Sequence, residues 1–487
     1  MKLTWHPYKY YPYEKELALR EIHSLIYPES IEHLKDGLVL INPRKPNKAQ
    51  ELVYFAAINS NDKETLTIQA RLERSFQQSR QSTRYSVHGL HEYKGKFNPQ
   101  IAKALLNILG VSKGSRILDP FCGSGTTLVE SVQHGMEAVG LDINPLAVYI
   151  ANAKIAALRT PASHLRQQLT SLSKSQILTQ SIQVSDNERT IYLKNWFTPH
   201  ILEEIEKLKF IIQEQESSQI FLSIVSNLLR DYSQQDPRDL RIRRRKCELP
   251  KKSLLEAFFE AAETFIAKVE YAQNSLSCLS GFGKAFLMDS REITKPMLGK
   301  FDFALTSPPY ATALPYIDTQ RLSIVWLDLT PASEILQLDA SLIGSRETRG
   351  QSKKKLINEL CSNYYNLPAE QAEYCLMLKN ALSTSDGFRR QAVPMLLYRY
   401  FVDMANSFRS VRNVMKEDSR YALIVGNNHT ILGGKRYDID TPYHLASLSA
   451  SCGWKVNEIT PLQTYQRYGY NIGNAINSEA LIILEAK

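Results

Sequence analysis

The passage that most constrains the fold is residues 116–145. Arg116-Ile117-Leu118-Asp119 is a short apolar strand, and Pro120-Phe121-Cys122-Gly123-Ser124-Gly125 is a glycine-bearing loop. Thr126 opens a helix, Glu137-Ala138-Val139-Gly140-Leu141-Asp142 is a second strand, and another helix begins near Pro145. Strand, crossover helix and strand within about thirty residues predict parallel pairing. The loop after the first strand then falls at the carboxyl edge of the sheet, where such folds hold ligands.

The alternation returns later in the chain. Ala285–Asp289 and Phe301–Leu305 read as strands, Tyr398–Met415 as a helix, and Tyr421–Val425, Trp454–Val456 and Ala480–Leu484 as strands. Upstream, Asn98-Pro99 caps a helix whose Ile101, Ala104, Leu105 and Ile108 recur at helical spacing. Between the second and third strands, Ile201, Leu202, Ile205, Leu208 and then Leu254, Leu255, Phe258, Ala262 predict a helical insertion over 156–280. Residues 331–392 show no period and read as a second, irregular insertion. Residues 1–84 read as an N-terminal extension of mixed periodicity. The predicted class is α/β, a Rossmann-like sheet split between 85–155 and 281–487.

Of the 487 residues, 43% are hydrophobic and 22% charged, which excludes fibrous and disordered classes. No apolar run approaches the roughly 18 residues of a membrane span, and no membrane partner is expected. Met1–Pro7 lacks the apolar core of a signal peptide. Six cysteines (122, 247, 278, 361, 375, 452) form no Cys-x-x-Cys pair, which predicts a reducing, cytoplasmic setting. The net charge of +9 is clustered: Arg238, Arg241, Arg243, Arg244, Arg245 and Lys246 in one stretch, Lys251 and Lys252 after it, and Lys353–Lys355 further on. Such runs suit nucleic-acid phosphates, and equally a solvated surface. His88, His91 and His429 have no ligand spacing, so no metal is expected. The tyrosines of residues 8–13 are expected to pack.

Glycines after a strand let the backbone turn sharply, and the following helix offers free N–H groups. Asp142 lies where a carboxylate would grip a ribose diol. A dinucleotide fingerprint needs a third glycine at 128, which is Leu128. Pyrophosphate is therefore disfavoured, and S-adenosylmethionine, with a ribose and a carboxylate but no phosphate, fits. Asp289 either accepts from the adenine amino group or caps a helix.

Thr306-Ser307-Pro308-Pro309-Tyr310 follows the strand 301–305 directly. Two prolines stiffen the turn and remove two N–H donors, so its lining accepts hydrogen bonds. That suits an exocyclic amine, which needs acceptors on both hydrogens to become tetrahedral and nucleophilic. Ser307 Oγ and the Pro308 carbonyl are the candidates, with Tyr310 stacking on a target base extruded from its helix. Cys122 needs no role, because amine methylation has no covalent enzyme intermediate.

These motifs resemble those of the DNA amino-methyltransferases, the N4-cytosine and N6-adenine group. Asp119–Thr127 looks like their cofactor loop, Gly140–Pro145 like their ribose-binding acid and Ser307–Tyr310 like their catalytic motif. His91–Pro99 is similar to the segment that folds over the methionine end of the cofactor. The likeness covers 85–155 and 280–310 well and 395–487 loosely. It implies cofactor contacts from Tyr93, Lys96, Phe97, Asp119, Pro120, Phe121, Gly123, Gly125, Thr126, Asp142, Ile143, Asp289 and Ser290, and catalysis by Ser307, Pro308, Pro309 and Tyr310. Serine at the first catalytic position implies cytosine N4, and the motif order excludes the permuted class. The implied partner is double-stranded DNA, bound through Arg238–Lys246 with 331–392 reading bases, in restriction-modification with a companion endonuclease or in epigenetic marking. Monomer and homodimer both stay open. Alternatives are N6-adenine methylation of DNA, N2-guanine methylation of RNA, or a catalytically silent DNA-binding subunit.

Overall fold

A computed structural model of the chain describes residues 1–61, 63–73, 81–172, 174–182, 186–239, 242–276, 279–293, 298–311, 317–347, 352–463 and 478–487. The N-terminal module has strands β1 (Lys2–Trp5), β2 (Ser30–His33), β3 (Gly37–Ile41), β4 (Phe55–Ser60) and β5 (Lys63–Leu66), and helices α1 (Pro12–Leu25) and α2 (Ile68–Glu73). The central sheet comprises β6 (Arg116–Asp119), β7 (Glu137–Asp142), β8 (Phe282–Leu287), β9 (Phe301–Thr306) and β10 (Met415–Gly426). A hairpin of β11 (Asn428–Leu432) and β12 (Lys435–Ile439) follows, and β13 (Trp454–Gln463) and β14 (Ser478–Ala486) complete the sheet.

Among the described residues the central sheet has seven strands in the order β13-β14-β10-β9-β6-β7-β8. β8, β7, β6, β9 and β10 run parallel, and β14 is antiparallel to both of its neighbours. The order reverses at β6, so the loop after β6 opens at a topological switch point. The period-two alternation divides the faces. Ile117, Leu305, Ile424 and Ile483 face the N-terminal module and helix α3 (Pro99–Ile108). Leu118, Ala304, Leu423 and Ile482 face the helices Phe388–Val414 and Thr441–Ser451. Helices α4 (Thr126–Gln133) and α5 (Pro145–Arg159) connect β6 to β7 and leave β7. Asn152 of α5 exchanges two 2.9 Å hydrogen bonds with the backbone of Ala285, covering part of the free edge of β8.

Three expectations need correction. The described residues of 1–84 form a folded module: Tyr8, Tyr10 and Tyr13 are buried in it, and its core is continuous with one face of the central sheet. Helix α5 extends to Arg159, so the insertion begins after it. Its helices are α6 (Ala162–Ser171), α7 (Lys174–Thr179), α8 (Glu188–Lys194), α9 (Pro199–Gln213), α10 (Ser218–Tyr232) and α11 (Leu254–Ser275). The described residues of 331–392 are largely helical, with Ile335–Ser341, Lys353–Cys361, Ala369–Asn380 and the start of Phe388–Val414.

Glu21 joins the N-terminal module to the sheet domain. It is fully buried, accepts from the Val53 N–H with both oxygens at 3.1 Å, and accepts from Asn107 of α3 at 2.6 Å. Burial pushes its carboxyl up to about 8. A raised acid stabilises the fold fully below its unfolded value, and that contribution drains away as pH rises to the folded value. The urea midpoint of the natural protein should therefore fall more steeply between pH 5 and 8 than that of Glu21→Gln, which keeps the shape without the charge. Parallel midpoint curves would refute this.

Candidate active site

The sequence motifs converge on one pocket at the carboxyl edge of the sheet. Its wall takes Pro120, Phe121 and Gly123 from the loop after β6, and Asp142, Ile143 and Asn144 from the end of β7. Tyr93, Lys96 and Phe97 close one side; Asp289, Ser290 and Ser307–Tyr310 form another. Asp142 is held by two backbone donors, the N–H of Gly123 at 2.9 Å and that of Asn144 at 2.8 Å. Burial pushes its carboxyl up to about 6. Lys96 donates to the carbonyls of Thr83 (2.6 Å) and His88 (3.4 Å), and burial lowers its ammonium to about 8.

The wall fits S-adenosylmethionine. Gly123 has φ +48°, and a Cβ there would come within 3.2 Å of the Tyr93 ring, so glycine suits both the turn and the close approach of loop and ring. Asp142 keeps lone pairs for a ribose diol, and Ile143, Phe121 and Met288 offer apolar surface beside it. When bound, the cofactor supplies an electrophilic methyl group on a sulfonium.

Three expected cofactor contacts do not line the pocket: Asp119, Gly125 and Thr126 lie behind it. Asp119 is buried, and its Oδ1 accepts from the Phe121 N–H (3.1 Å) and the Thr306 hydroxyl (2.6 Å). It therefore ties the cofactor loop to the strand that ends in the Ser-Pro-Pro-Tyr turn. Gly125 has φ +81°, and a Cβ would sit 2.8 Å from that of Ala151, so glycine is needed there for packing. Thr126 donates to the Phe97 carbonyl at 3.3 Å. Asp289 is a cap: it accepts from the Arg291 N–H and grips the Arg291 guanidinium at 2.6–3.0 Å while still reaching the wall. Strand β8 ends at Leu287, two residues before it.

The Ser307–Tyr310 turn is braced by several partners. Ser307 Oγ donates to the Ile424 carbonyl at 3.2 Å, leaving its lone pairs to accept. Tyr400 donates to the Pro309 carbonyl at 3.0 Å, and Asn428 to that of Ala311 at 2.7 Å. The Tyr310 hydroxyl donates to Glu479 at 2.9 Å.

Sequence reading missed several of these supports. Lys154 is fully buried, and its ammonium donates to the carbonyl (2.8 Å) and hydroxyl (3.0 Å) of Ser124 from beneath the cofactor loop. Burial pushes it well below the ordinary lysine value. Tyr400, Asn428 and Glu479 also went unread, as did Ser341–Ile343, which bring the second insertion to the pocket wall. Lys154 left one signal, a lone lysine on the apolar side of α5 between Ala151 and Ile155. The others reach the turn only through tertiary contacts.

The arginine run is not one surface. Arg245 donates to the carbonyls of Ser233 (2.9 Å), Asp231 (2.6 Å) and Arg230 (3.3 Å), closing the end of α10, so it is structural. Arg244 lies over the Trp196 ring at 4.7 Å. The Arg238 and Arg243 side chains are 77% and 62% exposed, and Lys246 is exposed too. Arg241 and Cys278 lie outside the described residues. No described helix is long and apolar enough to cross a membrane. Among the described residues no group of three or more His, Cys, Asp or Glu could hold a metal ion.

A family model, UPF0020, RMKL-like methyltransferase domain, matches residues 90–188. The type II methyltransferase M.MvaI of Kocuria varians is 26% identical over 71% of this chain and 78% of its own length. The type II methyltransferase M.MjaII of Methanocaldococcus jannaschii is 46% identical over 14% of this chain and 13% of its own. A tRNA (guanine(10)-N2)-dimethyltransferase of Methanothermobacter thermautotrophicus is 46% identical over 11% and 16%. TrmN from Thermus thermophilus aligns across the whole chain at 10% identity, with a TM-score of 0.33 that carries no weight. Sheet order, pocket and relatives together define an S-adenosylmethionine-dependent methyltransferase. Within that class the chain is similar to type II DNA methyltransferases.

Asp142 should give cofactor binding a pH signature. A ribose diol donates to the ionised carboxylate, so affinity for S-adenosylmethionine should weaken as pH falls through about 6. Calorimetric titration between pH 7.5 and 5 should show this in the natural protein and a flat profile, at lower affinity, in Asp142→Asn. An unchanged slope in the variant would assign the titration elsewhere.

Proposed function

We propose that this protein transfers a methyl group from S-adenosylmethionine to the exocyclic N4 amine of a cytosine flipped out of duplex DNA. The observation that carries the reading is the committed hydrogen bonding of the turn. Ser307 spends its proton on Ile424, and Tyr400 occupies the Pro309 carbonyl. What the turn offers an incoming amine is then the Ser307 oxygen and the Pro308 carbonyl, both acceptors. Two acceptors draw the amine lone pair out of ring conjugation and stabilise the positive charge that grows on nitrogen. Tyr310, anchored by Glu479, presents its ring beside them for stacking. Asp289, next to the apolar slot, is placed to accept from the adenine amino group.

DNA as substrate is supported by the likeness to M.MvaI over most of both chains, and restriction-modification is the setting that relative suggests. Guanine N2 in RNA is the second reading, because tRNA guanine-N2 methyltransferases share short stretches with this chain. The two-acceptor arrangement serves either amine. Tritiated methyl transfer to plasmid DNA and to bulk tRNA, followed by nucleoside digestion, separates them. N4-methylcytosine from DNA supports the proposal, and N2-methylguanine from tRNA replaces it. Ser307→Ala should slow transfer by about 10- to 1000-fold with cofactor affinity kept, since one preorganised acceptor is lost. Unchanged turnover would remove Ser307 from the mechanism.

Within the arginine run, Arg238, Arg243 and Lys246 are the phosphate contacts. Replacing the three with alanine should lower the slope of log K against log salt by up to about 2.7. Arg245→Ala should instead lower the melting temperature, and the reverse pattern would refute the division.

A further inference from the structure

We propose that the corner formed by Lys353–Lys355 and Phe388–Arg390 is a second contact for duplex DNA, separate from the Arg238–Lys246 stretch. It rests on the DNA reading above and adds where the duplex must lie.

Two helix starts meet at this corner. Lys353, at the first turn of Lys353–Cys361, donates to Gln391 of the helix Phe388–Val414 at 2.7 Å. Lys353, Lys354, Lys355, Arg389 and Arg390 are all exposed. Two carboxylates stand near them. Glu359 is 3.8 Å from Lys355, and Asp386, 3.9 Å from Arg390, accepts from the backbone N–H groups of Ser383 and Gly433. Five cations at helix N-termini, where the backbone dipoles add positive potential, make a surface suited to a polyanion.

Phe388 is 79% exposed, the most exposed of the chain's large apolar side chains among the described residues. The Arg389 guanidinium lies 5.5 Å from its ring centroid. A bare aromatic ring among cations has no folding rationale. It matches the chemistry of proteins that set an apolar side chain against a sugar or base step while neighbouring cations hold the phosphates.

The corner and the brace of the turn share one helix. Twelve residues along the same helix, Tyr400 holds the Pro309 carbonyl of the catalytic turn. At 1.5 Å per residue the offset is about 18 Å, roughly five base pairs of duplex. Pro237, the neighbour of Arg238, and Arg230 line a polar cavity that shares Tyr93, Lys96, Phe97 and Asn98 with the cofactor pocket. Both cationic clusters are thus tied through the fold to the pocket, and a duplex bound there would reach both.

The test uses the full chain, a random-sequence duplex of about 40 base pairs and a sodium chloride titration read by fluorescence anisotropy, since non-specific binding reports phosphate contacts. The Lys354→Ala, Arg389→Ala, Arg390→Ala triple variant should lose about two to three units of log–log slope. Its affinity for S-adenosylmethionine should match the parent's, which shows the fold intact. Phe388→Ala should bind about tenfold more weakly with the parent's slope. If the parent methylates DNA and the triple variant keeps the full slope, the second contact is refuted and the DNA reading stands. If the parent methylates tRNA and leaves DNA unmodified, both are overturned.

Discussion

The site depends on one buried hydrogen bond, from the Thr306 hydroxyl to Asp119 at 2.6 Å. Asp119 ends β6 and Thr306 ends β9, and these two strands are neighbours at the switch point of the sheet. The same carboxylate oxygen takes the Phe121 N–H, so the cofactor loop and the catalytic turn share an anchor. Burial raises the Asp119 carboxyl to about 6, while hydrogen bonds from Thr306 and the Phe121 N–H pull the other way. Removing the Asp119 carboxylate would strip the Thr306 hydroxyl and the Phe121 N–H of a shared acceptor, and each buried donor left unsatisfied costs on the order of 1–3 kcal/mol. That asymmetry makes the registration between loop and turn hard to lose by small motions.

From this anchor outward, each neighbour commits one polar group of the turn. Ile424, on the next strand, takes the Ser307 proton, and Tyr400, on the long helix behind, takes the Pro309 carbonyl. Asn428 takes that of Ala311. Prolines alone would leave a stiff turn with several idle acceptors. The tertiary partners fix where these carbonyls and the Ser307 hydroxyl point, so the geometry of the turn is set by elements more than 90 residues away in the chain.

The central sheet was legible because β6, β7 and β9 are apolar runs bounded by loop residues, and the glycine loop and proline turn each follow a strand directly. The helices of 331–392 were not. In Ala369–Asn380 the run Tyr374-Cys375-Leu376-Met377-Leu378 puts apolar side chains all round the helix, which erases the period. Pro394 hid the first turns of Phe388–Val414. It forfeits a hydrogen bond to the carbonyl of Arg390, but that residue is exposed and water can serve the group. Arg245 read as one cation among six because its partners are backbone carbonyls, and only folding gathers those. Asp119 read as a ligand contact because a motif marks which residues matter without saying whether they touch the ligand or hold what does.

The pocket wall carries Asp142, Asp289 and Glu479 beside Lys96 and Arg291, while the exposed Arg and Lys clusters do not line it. A cationic cofactor and a polyanionic substrate need this division, because a uniformly basic cleft would draw in the phosphates and repel the sulfonium. Arg291 is the apparent exception on the wall. Its guanidinium is shared between Asp289 and Asp403, so it adds no net positive charge to the pouch. Burial pushes Lys154, beneath the loop, well below the ordinary lysine value and lowers Lys96 to about 8. Pairing and desolvation together thus temper the positive charge in the interior of the site.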